Sequence, residues 1–357
     1  MDLPRDSQSY ELIHKLSEGP YASVYVARCK INEKLVAVKM VDLDLSPIDM
    51  NLLRKGMAFW STSTHEFIVK YFGSFVSGSK MWNLFEYMDG GSCRDILQYS
   101  FQTGFRDEVL IASIFEPVLQ FLVYFHENHR IHRDIRSGNI LLSSEGDVKV
   151  SDLCLSGSLI ESGQLSKALF SIVGCKMYMA PEIHGKAGYT EKADLWSVGI
   201  TALEMAKGYM DQTLFQELID AFQSKASNPV CFREFSPKFI EFIRLCLTED
   251  PEKRPNAADL LKSPFIKLSK GKKYVYSTLV SNLPPLYQRF ELMNPKKCNE
   301  SPIKDRKIHK FEFVEEDVSD VPKDLEEEEE CGTVKQFGRF TMTIRQSRKR
   351  LRSSLQV

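Results

Sequence analysis

The stretch that decides the fold is residues 131–139, which read Ile131-His132-Arg133-Asp134-Ile135-Arg136-Ser137-Gly138-Asn139. Asp152 follows thirteen residues after Asn139, and the segment 141–150 between them looks like a hairpin. A hairpin would turn the chain back and bring Asp134, Asn139 and Asp152 together. Such a group can supply both a proton acceptor and the oxygen ligands of a metal ion. A lone His-Arg-Asp triplet occurs in surface turns, but the whole arrangement in this order predicts a catalytic site.

The composition sets outer bounds on the class of protein. The chain has 357 residues, which exceeds the usual size of one domain and favours two packed lobes with appendages. Hydrophobic residues make up 43%, and the formal net charge of −1 argues neither for nucleic acid nor for a membrane surface. No run of about eighteen apolar residues and no signal-peptide pattern occurs, so we expect no membrane span. The eight scattered cysteines contain no Cys-x-x-Cys pair, which favours a reducing intracellular compartment.

The composition and the spacing of apolar residues change along the chain. Residues 10–88 are rich in β-branched and apolar residues and predict strands. From about residue 108 the apolar residues recur at three-to-four spacing, as in 108–126 and 192–207, and predict helices. Residues 274–293 are apolar enough for one or two docked helices, broken at Pro284-Pro285. From about residue 295 the chain is charged and poor in core residues, and we expect disorder.

Further motifs around Asp134, Asn139 and Asp152 make residues 10–268 resemble a eukaryotic protein kinase domain. Four segments carry the resemblance: Val36-Ala37-Val38-Lys39, Met179-Ala180-Pro181-Glu182, Asp194-Leu195-Trp196-Ser197-Val198-Gly199, and Arg254 in an Asp-Pro-Glu-Lys-Arg-Pro sequence. Within kinases, the turn at 90–92 and the segment 199–204 resemble the sterile-20 family. The Fray-like germinal-centre branch, in its plant-type form, is the most similar.

The resemblance implies an α+β fold with two lobes, a β-rich N-lobe at 10–88 and a larger helical C-lobe at 89–268. A short extension (1–9) would precede the domain. A helical extension (269–294) and a disordered charged tail (295–357) would follow it. Asp194 would brace the catalytic loop, and Arg254 would pair with Glu182.

The resemblance also assigns roles to residues of the site, with ATP and Mg²⁺ as cofactors. Asp134 would be the catalytic base, and Asn139 and Asp152 would bind both ATP and the metal. Lys39 and Arg136 would contact phosphate, and Phe85 would stand beside the hinge at 86–88. Asp95 could reach the ribose or the substrate, or be a solvated helix residue. The remaining predicted ATP-binding residues are Ser17, Gly19, Val24, Ala37, Glu86 and Met88.

The sequence departs from the kinase pattern at several places. Of the glycines in the family's phosphate loop, this chain keeps only Gly19, and Pro20 removes a backbone N–H donor. The helix expected after Ser46-Pro47 carries Gly56 where the pattern has a glutamate for Lys39, so we expect Gly56→Glu to raise activity. Cys154 follows the metal turn where the family has glycine. Cys175 stands at a position that is usually threonine, and Arg136 replaces a lysine.

Two functions remain open. The first is an ATP-dependent protein serine/threonine kinase, possible because Asp134, Asn139 and Asp152 are all retained. The second is a pseudokinase, a nucleotide-binding scaffold or allosteric partner, which the losses at Gly56 and Cys154 favour. A slow kinase reconciles both sets of observations.

The tail carries two further motifs. Arg339 and Phe340 resemble the Arg-Phe-x-Val docking peptides associated with Fray-like kinases, although Met342 replaces the valine. The match predicts a protein docking partner, with a chance match as the alternative. The basic cluster at 345–352 is either a solubilising end or a nuclear-import signal. We therefore expect a cytoplasmic protein, with the nucleus as a second location, that binds protein substrates and no nucleic acid.

Overall fold

The computed structural model describes residues 3–19, 22–44, 50–161, 164–165, 172–185, 188–208, 212–223 and 232–294, together with the short segments 313–315, 333–337 and 340–344.

The N-lobe is a five-stranded antiparallel sheet in the order β1-β2-β3-β5-β4, with one helix packed against it. The helix begins at Met50, and the residues predicted to start it, Ser46 and Pro47, lie outside the described residues. The elements are β1 (Tyr10–Glu18), β2 (Ala22–Cys29), β3 (Leu35–Asp42), α1 (Met50–Thr62), β4 (Tyr71–Ser77) and β5 (Lys80–Glu86).

The central strand β3 explains where Lys39 lies. Side chains of a strand alternate between the two faces of a sheet. Val36, Val38 and Met40 are buried in the core on one face of the sheet, while Ala37 packs against the large core shared with the C-lobe. Lys39 belongs to the same face as Ala37, and it pairs with Val24 on β2 and with Asn83 on β5. The alternation therefore turns Lys39 toward the space between the lobes.

The C-lobe is mostly helical, with a three-stranded sheet and two short strand pairs. Its first elements are β6 (Gly91–Ser92), α2 (Cys93–Ser100), α3 (Glu108–Glu127), β7 (Arg130–Ile131), β8 (Ile140–Leu142), β9 (Val148–Val150), β10 (Gly157–Ser158), β11 (Ile160–Glu161) and β12 (Gln164–Leu165). The sheet has the order β6-β8-β9, and the two pairs are β7 with β10 and β11 with β12. The helices that follow are α4 (Lys192–Lys207), α5 (Gln212–Gln223), α6 (Pro237–Cys246) and α7 (Ala257–Leu261).

Helix α3 is the central core helix of this lobe. Asp107 caps it by accepting hydrogen bonds from the backbone N–H groups of Val109 and Leu110. The helix is long and apolar enough to cross a membrane, but 61% of its most apolar window is buried inside the fold. That burial, which includes Phe115, Phe121 and Phe125, is what a core helix shows.

The hairpin predicted between Asn139 and Asp152 is formed by β8 and β9, with Ile140 paired to Val150. At its base the backbone N–H of Ser151 donates to the carbonyl of Asn139 (2.9 Å). The hairpin thus returns the chain to its starting point, as the sequence predicts, and brings Asp152 beside the catalytic loop.

Two more helices, α8 (Gly271–Thr278) and α9 (Leu286–Met293), lie where the apolar stretch predicts one or two. Farther along, β13 (Phe313–Glu315), β14 (Thr333–Phe337) and β15 (Phe340–Ile344) pair in the order β13-β15-β14. The other residues of 295–357 lie outside the described part of the chain, so the predicted disorder there stays a prediction.

The predicted pair between Arg254 and Glu182 is formed. The guanidinium of Arg254 makes two contacts with the carboxylate, at 2.6 and 3.1 Å, and the Arg254 side chain is completely buried. It also lies over the ring of Trp196, 5.2 Å from its centroid. The pair connects the segment before α4 to the loop before α7.

We expect Arg254→Met to lower the free energy of unfolding by about 3–5 kcal/mol, because it leaves the carboxylate of Glu182 without its buried partner. Denaturant unfolding measures this loss. The matched control is Lys253→Met, since Lys253 is the neighbouring cation and is 78% exposed. Equal stability of the two variants would contradict the assigned importance of the buried pair.

Candidate active site

The catalytic loop is held by the start of α4. The buried carboxylate of Asp194 accepts hydrogen bonds from the backbone N–H groups of His132 (2.9 Å) and Arg133 (2.8 Å). His126 Nε2, from the last turn of α3, lies 2.9 Å from the same carboxylate. Burial acts to raise the pKa of Asp194, but the contacts with His126 and His132 hold it below its ordinary value. Arg133 has a φ of 71°, which typically costs about 1–3 kcal/mol for a non-glycine residue. The bonds to Asp194 keep the loop in that conformation.

Asp134 is buried and hydrogen-bonded on several sides. The side-chain amide of Asn139 donates to its backbone carbonyl (2.8 Å) and to Oδ2 (2.6 Å). Arg136 Nε lies 3.1 Å from each carboxylate oxygen. Burial raises the pKa of Asp134 above its ordinary value, and the charge of Arg136 only partly offsets this effect. A raised pKa makes the carboxylate a better proton acceptor.

Lys39 and Asp152 form an ion pair, with Lys39 Nζ 2.8 Å from Oδ2 of Asp152. Burial opposes the charge on each group, but the pairing outweighs it. The pKa of Asp152 falls to about 2, and the pKa of Lys39 rises. Asp152 has a φ of 63° and a ψ of 58°, the left-handed conformation. Both groups are therefore charged at neutral pH, and Lys39 has a carboxylate partner although α1 provides no glutamate.

Gly56 lies directly against the turn that follows Asp152. A Cβ atom at position 56 would stand 2.5 Å from the Cα and 2.6 Å from the carbonyl carbon of Cys154. The neighbouring Met57 also touches this turn, with its Sδ 3.9 Å from the Sγ of Cys154. The expectation that Gly56→Glu raises activity is therefore wrong, because this backbone leaves no room for any side chain. Glycine here permits close packing of α1 on the turn.

The residues predicted to hold a metal suit a divalent cation that also binds phosphates. Within the described residues there is no cluster of three or more His, Cys, Asp or Glu side chains that could form a protein-only metal site. Oδ1 of Asp152, however, is buried and accepts no hydrogen bond from an N–H or O–H group in the described part of the chain, although the Cys154 thiol interacts with the same carboxylate. Asn139 donates both of its hydrogen bonds to Asp134 through Nδ2, so these bonds do not use its Oδ1. One carboxylate and one amide oxygen match a metal that takes its other ligands from water and substrate phosphate.

The predicted adenine pocket lies at the junction of the lobes. Phe85 is buried and packs on Trp60, with ring centroids 4.4 Å apart. The side chain of Glu86 forms an ion pair with Lys149 (2.7 and 2.8 Å), and its backbone N–H donates to the carbonyl of Lys70 (2.8 Å). Met88 is buried and its carbonyl accepts a hydrogen bond from Gly91 N–H. Their roles in nucleotide binding stay predictions.

The half-buried Asp95 has a structural use. Its carboxylate accepts hydrogen bonds from the backbone N–H and hydroxyl of Ser92, and Ser92 caps α2 in return. This capping box is sufficient reason for an aspartate at position 95, with no need for a role in ligand binding.

The predicted phosphate loop is only partly described. Ser17 pairs with Val24 and Glu18 with Ser23, and the backbone N–H of Gly19 donates to the carbonyl of Ala22 (2.8 Å). Pro20 lies outside the described residues, as do Arg339 of the docking motif and the basic cluster at 345–352. Cys175 is exposed.

Sequence reasoning missed three features of the site. His126 has no motif around it, and only the fold places it against Asp194. Lys149 lies between two core valines on β9. The alternation predicts which face of the strand it occupies, but it does not predict its partner Glu86. The apolar residues of α9 predict a docked helix, but nothing in the sequence indicates that it docks beside the hinge.

The chain has two lobes joined by a hinge. Lys39 and Asp152 form a pair next to the loop that carries Asp134 and Asn139. This combination defines the protein kinase class of fold. The sequence model of the protein kinase domain matches residues 10–266, and the chain belongs to this family. Both the predicted two-lobed α+β fold and the kinase resemblance are confirmed. Protein kinase domains use ATP with a divalent metal and act on protein substrates.

Named relatives refine the family. The chain is 34% identical over 297 residues to serine/threonine-protein kinase fray2 of Dictyostelium discoideum, and 34% identical over 302 residues to germinal center kinase 3 of Caenorhabditis elegans. The aligned regions cover 82% and 78% of this chain but only 29% and 51% of those proteins. The chain thus spans about half or less of their length. These similarities agree with the predicted Fray-like germinal-centre branch, and its plant-type form stays a prediction.

We expect Gly56→Ala to destabilise the protein, although alanine is the better helix former by about 1 kcal/mol. The new methyl group would meet the backbone of Cys154, which cannot move away as a flexible side chain can. Overpacking of this kind costs about 1–3 kcal/mol. Urea denaturation measures the change.

The matched control for this prediction is Ser61→Ala, an exposed position on the same helix. If Gly56→Ala were as stable as the wild type, the close approach of α1 to the Cys154 turn would be refuted.

Proposed function

We propose that the chain is an ATP-dependent protein serine/threonine kinase that transfers the γ-phosphate of ATP to protein hydroxyl groups in intracellular signalling, with weak activity. The observation that carries the proposal is the hydrogen-bonded assembly of Asp134 and Asn139 next to the Lys39–Asp152 pair. Phosphoryl transfer needs a base, a metal site and cations for the phosphates. The names of the two relatives support serine and threonine as the acceptors.

Asp134 is the group that accepts the proton of the substrate hydroxyl. Asn139 and Arg136 fix the orientation of its carboxylate, so one lone pair can point at the hydroxyl without reorganisation. Its raised pKa suits a base that must take a proton and later release it.

The phosphates meet the cationic part of the site. Lys39 contacts the α and β phosphates in this proposal, and Arg136 offsets charge at the γ-phosphate. Asn139 and Asp152 are the residues that fit Mg²⁺. When bound, Mg²⁺ neutralises charge on the triphosphate.

Weak activity follows from the losses around this site. Asp152 holds Lys39 in the absence of a helix glutamate, so the same carboxylate serves a lysine and a metal ion. Pro20 also removes one backbone donor from the phosphate loop. Loss of single electrostatic contributors of this kind typically lowers rates by about 10²–10³.

A nucleotide-binding pseudokinase is the second candidate function. The observation in its favour is that Lys39 neutralises Asp152 directly, while the contact of Gly56 with Cys154 leaves α1 no way to supply another carboxylate. Such a protein would bind nucleotide and act as a scaffold or allosteric partner. The assay below separates the two candidates.

We further propose, from the sequence alone, that Arg339 and Phe340 bind a docking partner. A cytoplasmic location with nuclear import through residues 345–352 is also a proposal.

We expect Asp134→Asn to lower phosphate transfer by at least about 10²-fold, because the amide cannot accept the hydroxyl proton. The affinity for Mg·ATP should stay nearly unchanged, since the amide keeps the shape of the side chain. The measurement is transfer of labelled γ-phosphate from Mg·ATP to the protein itself and to a mixed Ser/Thr/Tyr peptide pool.

The control for this experiment is Glu145→Gln, which removes a carboxylate that is 77% exposed in the hairpin turn. Equal transfer by wild type and Asp134→Asn would exclude the assigned base. No transfer by folded, nucleotide-binding wild type would favour the pseudokinase.

The activity should fall on the acid side as the pH drops through the raised pKa of Asp134, because only the ionised form is a base. The charge of Arg136 lowers that pKa. Arg136→Met should therefore move the acid limb of the kcat/KM profile to higher pH, whereas Arg136→Lys should largely keep its position. An acid limb that does not move in Arg136→Met would contradict this electrostatic coupling.

A further inference from the structure

The C-terminal extension, residues 269–294, packs on both lobes beside the hinge. Its first helix, α8, lies on the turn of the β8–β9 hairpin. Lys272 Nζ is 2.8 Å from Oδ1 of Asp147, and a Cβ at Gly146 would stand 2.8 Å from the backbone nitrogen of Tyr276. The helix therefore contacts the hairpin that connects Asn139 with Asp152.

The second helix, α9, is anchored to the hinge by a buried arginine. Arg289 is only 1% exposed, and its Nη2 donates to the carbonyl of Gly90 (2.6 Å). Its Nε donates to the carbonyl of Pro284 (3.0 Å), at the turn that precedes α9. Among the described residues Nη1 has no hydrogen-bond partner. Burial lowers the pKa of Arg289, and the charge of the Asp95 carboxylate partly offsets this effect. Burying a charged guanidinium costs free energy, so the surrounding packing must hold Arg289 in place.

The two glycines that follow the hinge, Gly90 and Gly91, explain the close approach of α9. Gly91 has a φ of +79°, and a Cβ there would stand 2.6 Å from Cδ1 of Leu286 and 3.4 Å from Nη2 of Arg289. A Cβ at Gly90 would stand 2.7 Å from the carbonyl oxygen of Leu142. Residues 90–91 thus lie close between α9 and the β8 strand, and a side chain at Gly90 would meet the backbone of Leu142.

The same helix reaches the N-lobe. Leu286 forms a small apolar cluster with Leu16 and Val26, against which Val24 and Tyr87 pack. The ring of Tyr287 stacks on His14 of β1, with centroids 4.2 Å apart and planes 9° from parallel. Val24 is a residue predicted to cover the adenine ring. Val24 and Val26 pair with Lys39 and Ala37, so Leu286 contacts the inner face of the β1–β2 wall of the nucleotide pocket. Arg289 holds the segment that directly follows the hinge.

We propose that α9 positions the nucleotide pocket, with Leu286 and Arg289 as positioning residues that set the spacing between the hinge and the β1–β2 wall. The inference rests on the proposed function, because it concerns the ATP that this site would bind. Changes in α9 should therefore alter the affinity for nucleotide and should not alter the rate of the chemical step at Asp134.

The test compares Leu286→Ala with Leu292→Ala, a leucine on the same helix that is 65% exposed. We expect Leu286→Ala to raise the KM for ATP and the Kd for Mg·ADP about tenfold, which corresponds to about 1.4 kcal/mol. The kcat should stay within about twofold of the wild type. Leu286→Met should restore the affinity, and Leu292→Ala should behave as the wild type.

If Leu286→Ala does not fold, Tyr287→Ala decides instead. It removes the stack on His14 and an exposed hydrogen bond from Gln288, and it should raise the KM in the same sense by a smaller factor. An unchanged KM, or a fall in kcat without a rise in KM, overturns the positioning role. If the wild type binds neither Mg·ATP nor Mg·ADP, the proposed function fails, and the positioning role fails with it. Normal binding by both the wild type and Leu286→Ala overturns only the positioning role.

Discussion

The buried carboxylate of Asp194 is the contact on which the rest of the site depends. It accepts two backbone hydrogen bonds from the catalytic loop and lies beside His126 of the core helix α3. A charged group in the interior is stable only when it is satisfied by such partners. With that loop fixed, Asp134 and Asn139 face the returning hairpin, and Asp152 arrives next to them. The catalytic geometry is thus tied to the most buried part of the molecule.

The Lys39–Asp152 pair shows how this chain differs from the kinase pattern. Where the pattern has a glutamate on the helix, Gly56 lets α1 lie against the backbone of Cys154. The lysine keeps an anionic partner because Asp152 takes that place. The replacement has a consequence for metal binding. One oxygen of Asp152 is committed to Lys39, and the buried Oδ1 is left for a cation. Lysine orientation and metal affinity are therefore coupled through one carboxylate.

Much of the fold and the site could be predicted from the sequence. The motif around Asp134, the hairpin and the positions of Asn139, Asp152 and Lys39 are local patterns with strict spacing, and the structure brings them together. The pairing of Arg254 with Glu182 followed from the family resemblance. The role of Gly56 could not be predicted, because its reason is a backbone turn about one hundred residues away. Likewise, the apolar spacing of α9 indicates a buried face but not that Arg289 meets the hinge at Gly90.

The most direct test of the account is to locate a metal ion in crystals grown with Mn²⁺ and a non-hydrolysable ATP analogue. Anomalous scattering identifies Mn²⁺ independently of the protein density. The account predicts a Mn²⁺ peak within coordination distance of Oδ1 of Asp152 and of Oδ1 of Asn139, with Lys39 turned toward the phosphates. A bound nucleotide with no metal at these residues and an unchanged Lys39–Asp152 pair would contradict it.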